Sequence, residues 1–153
     1  MATEYKLYSA AELSTDEIVT YLTNALDASG TPGGYLERDG LQVTAYAVPA
    51  TEAVTAASVF GFNHRVTATF RFDGLSAEAV RTANTVLMVR AVLALFGEYR
   101  ADGVLLFNGE EVVVQRLNGE VSLNGDWEDF AEIEDLKRIA TMYPLRTVPQ
   151  PLL

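Results

Sequence analysis

The sequence predicts an α+β fold: an antiparallel sheet of about six to seven strands, with two to three helices packed mainly on one face, in the order β-α-ββ-β-α-βββ-α. Three observations predict it. Asp-Gly at 39–40 and Asn-Gly at 108–109 and 118–119 interrupt short apolar runs, which is the chemistry of hairpin turns. The stretches 14–30 and 76–99 carry helical periodicity between start and stop residues. The strand-like runs come in groups, which favours hairpins with helices laid on one side over parallel βαβ units. At 153 residues, 49% of them hydrophobic and 21% charged, one globular domain over 1–153 is expected.

The elements follow in order. EYKLYSA reads as a short strand with Tyr5, Leu7 and Ser9 on one face. Ser14, with Glu17 three residues on, forms a capping box; Ile18, Leu22, Ala25 and Leu26 continue the helix and Gly30 stops it. TPGG at 31–34 is a turn. YLERDGLQVTAYAV from Tyr35 to Val48 is a hairpin about Asp39-Gly40, with Leu41, Val43, Ala45 and Ala47 on one face. The following span, PATEAVTAASVFGFNH over 49–64, reads as a long loop, and long loops in compact domains often carry function. RVTATFRFDG is a strand with Val66, Ala68, Phe70 and Phe72 toward the core and Thr67, Thr69 and Arg71 toward water. A helix capped by Ser76 and ending near Tyr99 comes next; from Val86 to Phe96 it is apolar nearly all round, the pattern of a helix buried on more than one side. GVLLF, EVVVQRL and EVSL form a meander on the two Asn-Gly turns. The third pair, Asn124-Gly125, releases the chain into a last helix that Asp126 caps, with Trp127, Phe130, Ile133, Leu136, Ala140 and Tyr143 as its stripe and Pro144 as its end.

Composition narrows the function. No cysteine is present, which removes disulfides, thiolate nucleophiles and cysteine-based metal sites. His64 is the single histidine, so no histidine pair can bind a metal; it reads as an exposed or capping residue beside a strand. There is no G-x-S-x-G, and neither Ser58 nor Ser76 has an activating neighbour. The glycines open no helix after a strand, so they do not cradle a phosphate. DWEDFAEIED lacks the alternating oxygens and central glycine of a calcium loop. No cofactor and no catalytic residue are expected. MATEYKLYSA has no basic region followed by an apolar run, and Val86–Phe96 is too short for a membrane span and carries Arg90, so a cytoplasmic protein off the membrane is expected.

Twenty-one acids against eleven bases give a formal charge of −10, which disfavours nucleic acid. From Glu110 to Asp135, nine acids against Arg116 alone leave that stretch at −8. Helix-dipole complementarity and the pairing of Glu134 with Lys137 and Arg138 account for part of this charge on a solvated helix. The competing reading is an acidic docking surface made of Glu110, Glu111, Glu120, Asp126, Glu128, Asp129, Glu132 and Asp135, able to steer a basic protein partner.

ATEYKLYSA, VTATFRFD ahead of a long helix, and DGVLLFNGEEVVVQRLNGEVSLNGDW together resemble the SitI3-like family of immunity proteins from bacterial polymorphic toxin systems, most closely over 66–127. The resemblance implies a cytoplasmic, non-enzymatic antidote that binds and neutralises a cognate toxin. It carries over no catalytic motif and no toxin-contacting residue. Strong acidity is similar to that of immunity proteins whose toxins are basic. A structural, self-associating accessory domain is the alternative from another class, and an enzyme built on His64 with a carboxylate is a third.

Overall fold

The computed structural model describes residues 3–49 and 60–147. The α+β class is as the sequence predicts, with nine strands and four helices: β1 (Thr3–Ser9), α1 (Thr15–Ala25), β2 (Ser29–Gly30), β3 (Leu36–Arg38), β4 (Leu41–Ala47), β5 (Val66–Phe72), α2 (Glu78–Tyr99), β6 (Gly103–Phe107), β7 (Glu111–Leu117), β8 (Glu120–Asn124), α3 (Asp129–Glu132), α4 (Glu134–Ala140) and β9 (Leu145–Arg146). The strands form one sheet in the order β2-β3-β4-β5-β1-β6-β7-β8-β9. All pairs are antiparallel except β8 with β9, which makes the sheet mixed. The strands beyond the six to seven expected include the two-residue edges β2 and β9, too short to carry an alternation that a sequence pattern could register.

The turns follow their residues. Asn108 and Gly109 have φ of 50° and 74°, and Asn118 and Gly119 have 54° and 80°, the left-handed values that a type I′ turn demands. The second is a two-residue hairpin closing Leu117 onto Glu120. The first adds Glu110, and the β6–β7 pairing also slips between Leu105 and Leu106. The extra residue lets Val113 and Val114 both join the main core while Val112 points to the other face. Asn124-Gly125 behaves differently: Asn124 is buried at the end of β8, its Nδ2 donating to Val112 O at 2.7 Å and its Oδ1 accepting from the Asp126 amide at 2.9 Å.

Helices α1 and α2 lie on one sheet face over a core that includes Leu7, Val43, Ala68, Phe70, Leu105 and Leu123 from the strands and Ile18, Leu22, Met88, Val92 and Phe96 from the helices. The Ser14–Glu17 capping box forms at both of its bonds, 3.1 and 3.0 Å. At the start of α2 the expected cap is displaced. The Leu75 amide bonds Asp73 Oδ1 at 2.9 Å, and this turn puts Ala77, not Ser76, at the cap position. The last helix is two pieces. Residues 127, 130, 133, 136 and 139 repeat every three, which on a continuous α-helix drifts about 60° per step; an extended Ile133 (φ −94°, ψ 120°) resets the phase, so Trp127, Phe130, Leu136 and Ile139 all reach the core. Asp126 is therefore not a cap; Glu128 holds that position in α3.

Neither α1 nor α2 has a basic residue in its last turn. The sheet supplies it. Arg38 on β3 donates to Leu26 O at 2.7 Å, and Arg116 on β7 donates to Phe96 O, so each helix end meets a guanidinium from a strand beneath it.

The opposite face carries a smaller cluster of Tyr8, Val104, Leu106 and Val112, against which Phe60 and Phe62 pack. The end of the long stretch that the sequence leaves as a loop is thus a cover for the back of the sheet; residues 50–59 lie outside the described residues. His64 follows and is 2% exposed, edge-on to the Tyr8 ring at 5.0 Å. It is a buried residue rather than an exposed one, and burial lowers its pKa.

Candidate functional site

At the end of the sheet where β1 begins, a cleft of about 720 Å³ opens between three walls. The first turns of α2 give Glu78, Arg81 and Thr82; the start of β7 gives Glu111; the β8–α3 connection and α3 give Asp126, Glu128, Asp129 and Glu132, with Glu134 beyond the break. The floor is aromatic. Tyr5 is the centre of it, with ring centroids 5.4 Å from Phe72, 5.1 Å from Phe107 and 6.1 Å from Trp127. Trp127 stacks edge-on against Phe130 at 4.8 Å, which fixes the connection that carries the acids.

The carboxylates of this cleft act on one another. Burial pushes the pKa of Asp129 up, and Glu132 and Glu128 add to the rise while Arg81 opposes it. Glu111 is raised by burial and then by Glu128, Asp126 and Asp129. Tyr5 is raised above the usual phenol range, first by burial and then by Asp129 and Glu111. One fixed positive group, Arg81, faces seven carboxylates, so the cleft carries an unbalanced negative potential that a cation entering it would relieve. Among the described residues no group of three or more acidic or histidine side chains is placed to hold a metal ion. The charge is spread over a wall instead of converging on a point.

Of the eight acids singled out in the sequence, Glu111, Asp126, Glu128, Asp129 and Glu132 line this cleft. Glu110 is exposed in the turn next to it. Asp135 lies one residue past Glu134, ion-paired to Arg138 at 3.2 Å and lining a neighbouring groove. Glu120 stands apart: it opens β8 at the other end of β7, about 20 Å away by strand rise, and is bound to Arg146 on β9. The turns of the meander therefore do not all face one side. Glu78 and Arg81 were not legible as site residues, because nothing local links the start of α2 to a segment some fifty residues on. The link is topological. The Asp39-Gly40 turn tucks under α2, with Asn84 Nδ2 donating to Asp39 O at 2.8 Å, and this seats the helix over the sheet end.

A family model described as SitI3-like matches residues 3–134, from the start of β1 to the first residue of α4, a span that contains every residue lining the cleft. No curated protein and no solved structure matches the chain.

Proposed function

Because the chain belongs to the SitI3-like family, we propose that it is a non-enzymatic immunity protein that binds a cognate toxin in the cytoplasm and neutralises it by masking, with the acidic cleft as the contact surface. The observation that carries the choice of surface is the convergence of Glu111, Asp126, Glu128, Asp129 and Glu132 with Glu78 and Glu134 around a single Arg81. Such a wall favours a toxin that presents lysine or arginine. Its field would speed encounter, and the aromatic floor behind it would keep the carboxylates fixed in place. The short edges β2 and β9 offer little template for pairing with another sheet, which counts against edge-to-edge self-association as the main role.

The test uses a candidate toxin from the reading frames flanking the gene, purified with its active site inactivated. Replacing Glu128, Asp129 and Glu132 together by lysine should slow association at least about tenfold at low salt and flatten the salt dependence of the rate, since steering is screened within a Debye length. Unchanged affinity with unchanged salt dependence would remove the cleft as the contact surface. Absence of any binding by the unaltered chain would remove the immunity reading itself.

A further inference from the structure

A second groove runs along the outer side of α2, with a volume of about 660 Å³ and a lining that includes Glu78, Ala79, Ala83, Val86, Arg90 and Asp135. α2 is long and apolar enough to cross a membrane by length and composition, and little more than half of its most apolar stretch is buried. Most of its large apolar side chains are covered, and from Val86 to Phe96 only Arg90 and Ala94 are exposed. The sheet covers α2 from beneath, and Tyr21 of α1 flanks it by donating to Ala91 O at 2.7 Å. Ala79, Ala83, Arg90, Ala94 and Gly97 remain exposed on the outside, all on one face of the helix.

We propose that this groove is the interface of a symmetric dimer, in which a second copy lays its own α2 antiparallel along it. The charges choose the occupant. Arg90 stands about 18 Å along the helix from Glu78, and Asp135 shares the groove with them. A two-fold axis passing between Ala83 and Val86 brings Arg90 of each copy to Glu78 of the other, beside the Asp135 that Arg138 already holds, so the Arg90–Glu78 pairing is made twice, as an isologous contact requires. Ala83, beside the axis, lets the two helices approach closely at the centre. A lipid surface fits worse, because an arginine sits in the middle of the strip and two acids at its end. The span that pairs, from Glu78 to about Ala91 on each helix, is about 20 Å long, which sets a small interface. The inference does not rest on the immunity reading.

Sedimentation velocity of the full chain from about 1 to about 200 µM tests it. The expected result is a shift from the 16.7 kDa chain to twice that mass. Arg90→Glu and Glu78→Arg should each raise the midpoint at least about tenfold, and the double variant should restore it, as a swapped charge pair does. Ala83→Glu, at an exposed position in the centre, should abolish the dimer independently, with circular dichroism confirming the fold of each variant. A chain that stays monomeric throughout, a dimer indifferent to Arg90→Glu or to Ala83→Glu, or a double variant that fails to recover overturns the proposal.

Discussion

Replacing Gly40 by alanine should unseat the start of α2. Gly40 has φ of +79°, and a Cβ built on it would stand 2.7 Å from Ser76 Oγ, 2.8 Å from Val80 Cγ1 and 3.2 Å from Asn84 Nδ2. The left-handed backbone alone costs an alanine about 1–2 kcal/mol. Forcing a methyl into contacts that tight adds about 1–3 kcal/mol of overpacking. A control separates the two. Gly119 has nearly the same φ, +80°, with nothing within 4 Å of its Cβ position, so Gly119→Ala should show the backbone cost alone. Gly40→Ala is therefore expected to lose about 1–3 kcal/mol more than Gly119→Ala in urea titrations with unchanged slope. In thermal melts this amounts to roughly 2–4 °C for each kcal/mol. Equal losses in the two variants would show that Ser76 and Val80 turn aside freely. The reasoning that this turn positions α2, and with it the Glu78 and Arg81 wall of the cleft, would then fail.

Two further outcomes follow from the described contacts. Glu111→Gln should raise stability at pH 7 by a few tenths of a kcal/mol, the scale of a solvent-screened charge contact. Because the pKa of Glu111 is raised in the folded chain, its favourable contribution is present below its ordinary value of about 4.3 and lost as pH rises through the folded value. The gain should thus fade as pH falls below that ordinary value, and a gain independent of pH would refute the account from burial and neighbouring like charge. Arg116→Met should cost about 1.5–3 kcal/mol, the range for a hydrogen bond to a charged group, with faster amide exchange at the end of α2; a neutral substitution would show that water caps Phe96 O equally well.

The legible parts of this fold are those fixed by neighbours in sequence. Asp39-Gly40, Asn108-Gly109 and Asn118-Gly119 announce their turns because a backbone conformation selects the residue, and Ser14 with Glu17 announces α1 because both partners lie within one turn. The failures have the opposite character. Ser76 looks like a cap until Asp73 takes the turn before it. The stripe from Trp127 onward looks like one helix because its steps of three are each helical, although their sum is not. His64 reads as exposed because the aromatic pair that accompanies it, Phe60 and Phe62, has no periodicity to mark it as a cover. The cleft was half legible: acids crowded between 126 and 132 declare themselves, while Glu78 and Arg81 join them only through the sheet.

The order of the sheet has a consequence for how the chain assembles. β1, the earliest strand, lies in the middle, with β5 on one side and β6 on the other. The meander of residues 29–72 and that of residues 103–146 thus meet only through it, and each alone would end in a long, bare strand. Neither half can shield its apolar edge until β1 has been captured from both flanks, across separations of some sixty and a hundred residues. Such pairings of high contact order are slow to close. During synthesis β1 can pair with β5 once residue 72 has emerged, while its other edge waits for β6, and the step that seals the seam also shapes the cleft at its end, since Tyr5 on β1 is the floor on which the acidic wall stands.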